Sequence, residues 1–168
     1  MQVLILNGTP AKGYSEFRRK LFAYKVQLNT LHQVDQIDLH DKNLGYCQGC
    51  FNCWWKTPGE CTIRDDIDAI SSAVMNAERV IFASPLIHGF PSHLIKMLQD
   101  RLLPLLMPYI QLIGGECHHE RRYNKYPTLE LFFGREMHTE VEDIHIVRDI
   151  YDRLAINFHS KVVQAQFV

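Results

Sequence analysis

The chain opens with Gln2-Val3-Leu4-Ile5-Leu6-Asn7-Gly8-Thr9-Pro10-Ala11-Lys12-Gly13-Tyr14-Ser15. Apolar residues run without alternation over positions 3–6, which is typical of a parallel strand buried on both faces. Turn-forming residues follow, and Ser15 can cap a helix that runs to Tyr24 or beyond. A strand that passes through a glycine- and hydroxyl-bearing turn into a helix binds phosphate in doubly wound α/β proteins. The opening therefore predicts both the fold class and an anion site after the first strand.

The rest of the chain repeats this alternation of strands and helices. Further strands are predicted at residues 33–39, 79–83, 129–133 and 161–167. Helices are predicted to start at Asp65 or Asp66 and at Ser92, and to cover residues 140–157. The alternation predicts an α/β fold with a doubly wound, five-stranded parallel sheet and helices on both faces. No linker or repeat divides the chain, so residues 1–168 are expected to form a single domain.

The predicted fold also indicates where a ligand should bind. Ligands of doubly wound sheets lie beyond the carboxyl ends of the strands. Three segments are expected to converge there, namely residues 8–15, residues 84–91 and the residues after Gly134. The long connection at residues 41–60 follows the second strand and should emerge at the same edge. A connection of that length inside a compact domain is usually functional.

Four cysteines, Cys47, Cys50, Cys53 and Cys61, lie within fifteen residues of this part of the chain. Their C-x2-C-x2-C-x7-C spacing belongs to the class that can wrap four thiolates around a [4Fe-4S] cluster. Four-cysteine zinc sites more often pair two C-x2-C knuckles that lie farther apart. A loop of reduced, partly buried thiols without metal is the third alternative. The spacing alone leaves all three open.

The composition excludes several classes of protein. The net charge is −1 and the pI is near 6.7, which argues against a nucleic-acid partner. A fifth cysteine, Cys117, makes the count odd, and the tight spacing of the others does not suit a secreted disulfide framework. The first residues show no basic, cleavable leader, and the apolar stretch at 102–110 is too short to span a bilayer. We therefore expect a cytoplasmic protein with no membrane partner.

Three segments make the chain resemble the flavodoxin-like NAD(P)H-dependent FMN reductases, and most closely their iron–sulfur flavoprotein branch. They are residues 4–10, the cysteine run continued to Asp66, and residues 84–96. The resemblance implies a sheet order of 2-1-3-4-5, FMN as cofactor, NAD(P)H as co-substrate, and a homodimer or homotetramer. It also implies that the chemistry takes place on the flavin, so no catalytic side chain is expected.

The resemblance implies two groups of cofactor-binding residues. The FMN phosphate is expected at the helix N-terminus after the first strand, near Thr9, Lys12, Gly13 and Ser15. The isoalloxazine ring is expected against Pro85, Leu86, Ile87, His88, Gly89 and Phe90. The first loop departs from the family pattern, because Ala11 replaces a basic residue and Glu16-Phe17 replaces small hydroxyl residues. A carboxylate at this place repels a phosphate dianion.

The expected function is transfer of electrons or hydride from NAD(P)H through FMN to a quinone, a flavin or another small acceptor. If the four clustered cysteines hold a [4Fe-4S] cluster, an iron–sulfur flavoprotein that takes electrons from a ferredoxin-like carrier is expected instead. The departures in the first loop keep a third alternative open, a degenerate flavodoxin-like binding protein without catalysis. Residues 117–120, Cys-His-His-Glu, are interpreted as a surface connection, because adjacent residues rarely ligate one ion.

Overall fold

A computed structural model describes all 168 residues of the chain. Its elements are, in chain order, β1 (Gln2–Asn7), α1 (Ser15–Asn29), β2 (Gln33–Asp38), α2 (Asn52–Trp55), α3 (Ile67–Asn76), β3 (Arg79–Ile87), β4 (Phe90–Pro91), α4 (His93–Arg101), β5 (Leu106–Ile113), β6 (Glu116–Arg121), β7 (Thr128–Gly134), α5 (Val141–Asn157) and β8 (Val162–Phe167). Single 3-10 turns occupy Leu39–Asp41 and Leu103–Leu105. None of the helices combines the length and the apolar character that a membrane crossing requires.

The central sheet consists of five parallel strands in the order β2-β1-β3-β7-β8. Each neighbouring pair in this order is parallel, so every connection crosses over a face of the sheet. If only the five parallel strands are numbered, in chain order, the sheet order is 2-1-3-4-5. The predicted α/β doubly wound fold is therefore confirmed.

Helices cover both faces of the sheet, as predicted, but unequally. Leu4 and Leu6 of β1 belong to a core cluster of 25 residues to which α3, α4 and α5 contribute. Val3 and Ile5 point to the opposite face, where a cluster of seven residues includes Phe17 of α1. Because alternate residues of a strand face opposite sides, burial on both sides explains the unbroken apolar run of β1.

The third strand is longer than predicted. Residues 84–91 were expected to be a loop, but β3 continues to Ile87, turns at His88 and Gly89, and returns as β4. Both turn residues have positive φ, 51° and 78°. The proline that suggested a loop, Pro85, is tolerated because β1 has already ended. The last backbone hydrogen bond between the β1 segment and β3 joins Gly8 N to Ala83 O. Residue 85 therefore lies beyond the part of β3 that pairs with β1, where a missing backbone N–H is tolerated.

A β-hairpin that was not predicted from the sequence lies between α4 and β7. Its strands, β5 and β6, pair antiparallel around Gly114 and Gly115, which have φ of 61° and 88°. Residues 117–120, interpreted as a surface connection, are therefore part of a strand, and His118 is buried. The polar composition of β6 concealed the strand, because strand patterns are recognised mainly from β-branched and aromatic residues.

Candidate functional site

The carboxyl ends of β1, β3 and β7 meet at one edge of the sheet. The register pairs Asn7 with Ala83 and Pro85 with Gly134, so the segments that follow these strands lie side by side. The cleft between them, here called the strand-end cleft, has a volume of about 170 Å³ and is lined by Tyr14, Glu16, Phe17, Lys20, Pro85, Gly134, Arg135, Glu136 and Val168. The expected convergence of three segments is thus present. Among the residues predicted to bind the cofactor, Pro85 alone lines the cleft itself.

A larger groove, of about 380 Å³, lies elsewhere, between α3 and the end of the cysteine run. None of its lining residues comes from the segments that follow β1, β3 or β7. Since doubly wound folds bind ligands at the strand ends, the smaller strand-end cleft is the better candidate for a cofactor.

Thr9 lies inside the first turn and is fully buried. Its backbone N–H and its hydroxyl both donate to Asn7 Oδ1, at 3.0 and 2.6 Å. The Asn7 amide in turn donates to Asp38 Oδ1 at the end of β2, at 2.6 Å. These bonds shape the turn and already use the Thr9 hydroxyl as a donor. A phosphate contact from Thr9 stays a prediction.

The start of α1 presents free backbone donors to solvent. Gly13 and Tyr14 both adopt left-handed backbone conformations, with φ of 79° and 57°, and Ser15 begins the helix. The first helical bond runs from Arg18 N to Tyr14 O, which leaves the N–H groups of residues 15–17 without helical acceptors. Lys12, Gly13 and Ser15, the other predicted phosphate residues, are exposed here. This is the arrangement that attracts an anion to a helix N-terminus.

Charged side chains surround this helix start. The Arg18 guanidinium donates to Pro10 O and Gly13 O, so it braces the turn from behind. Glu16 pairs with Lys20 at 3.0 Å, and its pKa is lowered by the hydrogen bond and the charge of Lys20. The carboxylate that departs from the family pattern is therefore ionised and partly neutralised by its neighbour.

Phe17, the second departure from the family pattern, serves the core. Its ring is buried against Phe132, with ring centroids 5.8 Å apart. It also fills the space above Gly134, where an added Cβ would lie 2.4 Å from Phe17 Cδ2. Phe17 and Gly134 are therefore matched in size, and together they form one wall of the strand-end cleft.

The residues predicted to contact the flavin ring lie on the turn between β3 and β4. Pro85 and Leu86 are buried within the sheet, whereas His88 and Phe90 are exposed at the turn. Gly89 packs against the start of α5, where an added Cβ would lie 2.5 Å from Asp143 Oδ1. None of residues 86–90 lines the strand-end cleft.

Ser92 links this turn to the first loop. It precedes α4, as expected for a cap, but its side chain makes no capping bond. Its hydroxyl donates to Gly8 O instead, and its backbone N–H donates to Ser84 Oγ at 2.9 Å. The position of the predicted cap is therefore right, but its side chain does not cap the helix, because the hydroxyl donates to the buried carbonyl of Gly8, just after β1. The hydrogen bond from Ser92 to Gly8 ties the segment after β3 to the segment after β1.

The four cysteines of the run line one small cavity, of about 20 Å³, here called the cysteine cavity. Cys53 is buried, Cys61 is half-buried, and Cys47 and Cys50 are exposed; none forms a disulfide. The donor set suits an iron–sulfur cluster or zinc chemically. However, no three of these side chains come close enough together to form a ligand group. The four predicted ligands therefore line one cavity, but they are not arranged to coordinate a metal ion or a cluster.

Burial raises the pKa of the Cys53 thiol, and the neighbouring Cys61, Cys47 and Cys50 thiols raise it further. Cys53 is therefore neutral in the metal-free chain. Next to it, Trp54 donates from Nε1 to Leu106 O at 3.1 Å and packs on His119 of the hairpin. Trp54 thus anchors the cysteine run to β5 and β6, whereas Trp55 is largely exposed.

Several residues at these two places were not found from the sequence. Tyr14 and Arg135 line the strand-end cleft, and the buried Arg101 lines the cysteine cavity. Arg135 directly follows the strand-ending Gly134, so its position carried a usable signal. No signal in the sequence points to Arg101, since its partner Asp65 lies 36 residues away and only the tertiary fold joins them.

Comparison with known proteins agrees with this fold and gives a family. The profile of the family described as NADPH-dependent FMN reductase matches residues 1–114. An iron–sulfur flavoprotein of Archaeoglobus fulgidus is 33% identical over 105 residues, which are 62% of this chain and 46% of that protein. One from Methanocaldococcus jannaschii is 41% identical over 73 residues, 44% of this chain and 37% of that protein. The chain thus spans less than half the length of these curated relatives.

Among solved structures, the NAD(P)H:quinone oxidoreductase from Methanothermobacter marburgensis superposes with a TM-score of 0.70 at 17% identity. The superposition covers all of this chain and 83% of that one. It confirms the flavodoxin-like fold. Because the family profile covers more than half of the chain and the strand-end cleft lies where that fold binds its ligands, this chain belongs to the NADPH-dependent FMN reductase family.

Proposed function

We propose that the chain binds FMN at the strand-end cleft and transfers electrons or hydride from NAD(P)H to a quinone, a flavin or another small acceptor. The observation that carries this proposal is the coincidence of the family match with a cleft bounded by all three strand-end segments. We also propose that it acts as a homodimer or homotetramer in the cytoplasm, as the resemblance implies.

The helix start of α1 would hold the phosphate of FMN. The free N–H groups of Ser15, Glu16 and Phe17 supply donors, and the helix dipole favours an anion beside them. Lys20 pairs with the ionised Glu16, and Lys12 adds a positive charge to the preceding loop. The phosphate site is thus built mainly from backbone groups, which do not depend on the side chains that differ from the family pattern.

The wall formed by Pro85, Phe17 and Gly134 would border the ring. Bound flavin supplies the redox chemistry, while the protein positions it and keeps water from one face. Apolar groups on this wall suit an aromatic ring, and the backbone N–H groups of His88 and Gly89, which lie between the paired Ile87 and Phe90, would serve its polar edge. No side-chain acid or base is required by this arrangement.

The proposal is tested by titrating the purified protein with FMN and with riboflavin, following flavin fluorescence. We expect saturable FMN binding, weaker riboflavin binding, and oxidation of NADPH or NADH by benzoquinone that depends on FMN. Protein that neither retains nor takes up FMN would refute the proposal and favour the degenerate, non-catalytic alternative.

A second candidate function is that of an iron–sulfur flavoprotein that takes electrons from a ferredoxin-like carrier. It is favoured by the collection of Cys47, Cys50, Cys53 and Cys61 around one cavity. Anaerobically purified protein should then contain about four irons and four sulfides per chain. Cys50→Ser should lose them, whereas Cys117→Ser, at a cysteine of β6 that does not line the cysteine cavity, should keep them. Negligible iron together with full FMN-dependent activity would refute this candidate.

A further inference from the structure

A further groove opens at the carboxyl ends of β1 and β2 and is here called the β2 groove. Its volume is about 420 Å³, within the range of pockets that hold small ligands. One wall is formed by Arg18, Phe22 and Lys25 of α1, and the opposite wall includes Asp38 and His40 at the end of β2. The β2 groove shares no lining residue with the strand-end cleft or the cysteine cavity.

The register of the sheet places the acidic wall of this groove opposite α1. Asn7 and Asp38 are the last residues of β1 and β2, and they pair with each other. Val34 of β2 packs in the cluster that contains Phe17 of α1. Because alternate residues of a strand share a face, Gln36 and Asp38 also point to the face that α1 covers.

Asp38 has an acceptor oxygen to spare. Its Oδ1 accepts from Asn7 Nδ2 at 2.6 Å and from Gln36 Nε2 at 2.7 Å, whereas its Oδ2 accepts no hydrogen bond from the chain. His40, on the same wall, has a buried Nδ1 without a partner in the chain. An acidic residue beyond the first βα turn of dinucleotide-binding doubly wound folds accepts from a ribose hydroxyl. The unused oxygen of Asp38 suits that role.

The helix wall carries the opposite charge. The Arg18 guanidinium is already used, because it donates to Pro10 O and Gly13 O. Lys25 takes part in none of the ion pairs of the chain. Its ammonium is therefore the free cation of the groove, and a lysine ammonium is well suited to a phosphate group.

Phe22 adds an apolar surface to this wall. Although it lines the groove, 68% of its surface is exposed. An aromatic ring in this situation stacks on a nucleobase whatever the identity of the base. The spare carboxylate oxygen, the free ammonium and the exposed ring thus match the ribose, the phosphate and the base of one ribonucleotide.

We propose that the β2 groove binds the adenosine monophosphate half of the nicotinamide co-substrate, with the ribose on Asp38, the 5′-phosphate on Lys25 and the base on Phe22. The identity of this occupant rests on the proposed function, which requires a nicotinamide dinucleotide. The start of α1 separates the groove from the strand-end cleft, and a helix with its side chains is only about 10 Å across, a distance that an extended dinucleotide bridges. Because the Asp38 carboxylate repels a 2′-phosphate, the co-substrate is NADH in preference to NADPH.

Binding is tested on wild-type protein without added flavin, by titration with 5′-AMP and backbone amide NMR. We expect saturable shifts at residues 22–25 and 36–41. The analogue 2′,3′-dideoxy-AMP should bind about tenfold more weakly, since it gives up hydrogen bonds to a charged group. Shifts confined to other parts of the chain, or equal Kd values for the two nucleotides, would overturn the site. A Kd for 2′,5′-ADP below that for 5′-AMP would overturn the preference for NADH.

Two aspartates of β2 give a matched pair of variants. Asp38→Asn keeps an oxygen for Asn7 and Gln36 but removes the charge, so it should weaken 5′-AMP binding about tenfold. Asp35→Asn changes an exposed residue on the other face of the same strand and should leave the Kd unchanged. Equal affinity of wild type and folded Asp38→Asn for 5′-AMP refutes the ribose contact. If Asp38→Asn does not fold, the comparison of nucleotides on wild type decides.

The charge of Lys25 is tested in the same way. Lys25→Met should weaken binding of 5′-AMP but not of adenosine, which lacks the phosphate. The control is Lys161→Met, at an exposed lysine just before β8, because β8 and β2 are the opposite edges of the sheet. A loss for adenosine as large as that for 5′-AMP would overturn the phosphate contact.

Steady-state kinetics separate this inference from the proposed function. In flavin-loaded protein, Asp38→Asn should raise the KM for NADH about tenfold and leave kcat close to wild type, because the contact lies away from the reacting ring. Full NADH-dependent activity of wild type without 5′-AMP shifts in the β2 groove would overturn the inference and leave the proposed function standing. Protein that binds 5′-AMP in the groove but takes up no FMN would refute the proposed function and the co-substrate role, while the nucleotide site itself would be supported.

Discussion

Replacing Ser15 with aspartate separates the effect on the helix from the effect on the phosphate. Ser15 is exposed and is the first residue of α1, beside three backbone N–H groups without helical acceptors. An acidic side chain in the first turn of a helix stabilises it by roughly 0.3–1 kcal/mol. The folded protein should therefore be at least as stable as wild type, while a bound dianion meets a new negative charge.

The size of the effect follows from the geometry of the helix start. A phosphate that accepts from these N–H groups would lie about 2.9 Å from each nitrogen and roughly 5 Å from the new carboxylate. Two unit charges at about 5 Å repel by roughly 0.8 kcal/mol in bulk water and by about 3 kcal/mol at an effective dielectric of 20. Since a phosphate monoester carries about 1.5–2 negative charges, FMN should lose at least about 1.5 kcal/mol, roughly tenfold in Kd.

The assay is a fluorescence titration with FMN and with riboflavin, which lacks the phosphate. Ser15→Asp should weaken FMN binding roughly tenfold at low salt, less at high salt, and leave riboflavin unchanged. Ser15→Asn, an uncharged match in size, should show little effect on either ligand. An unchanged Kd for FMN, or an equal loss for riboflavin, would refute the placement of the phosphate on this helix.

Three further predictions concern charge and packing near the two sites. Glu16→Gln should tighten FMN binding at low salt, since the ionised carboxylate no longer opposes the phosphate; a titration that shows no change would contradict this. Gly134→Ala should lower the free energy of unfolding by about 1–3 kcal/mol in urea, because the added methyl group collides with Phe17; a second change, Phe17→Leu, should recover part of it. The pKa of Asp65 is lowered in the folded protein, so its pairing with Arg101 stabilises fully above the unfolded carboxyl pKa of about 3.9 and is lost as pH falls through the lower folded value. Urea unfolding from roughly pH 6 to pH 3 should show this loss in wild type, and Asp65→Asn should abolish it.

Much of the fold could be predicted because it is encoded in short-range patterns. The unbroken apolar run of β1 indicated burial on both faces, and the alternation of strands and helices indicated a parallel sheet. Strand ends in such a sheet must share one edge, so the meeting of the segments after β1, β3 and β7 also followed. The hairpin of β5 and β6 was not predicted, because the pairing of its two strands, and not their amino-acid composition, makes them a sheet.

What the sequence by itself determined is the class of fold, the edge of the sheet at which the segments after β1, β3 and β7 meet, and the presence of four cysteines in one segment. Only the tertiary structure decided how individual side chains are used. Ser92 bonds to Gly8, 84 residues away, and Arg101 bonds to Asp65, 36 residues away. Such partners are chosen by burial, because a buried donor must take whichever acceptor the packed chain places beside it. The periodicity of the sequence therefore does not predict which partner such a buried group takes.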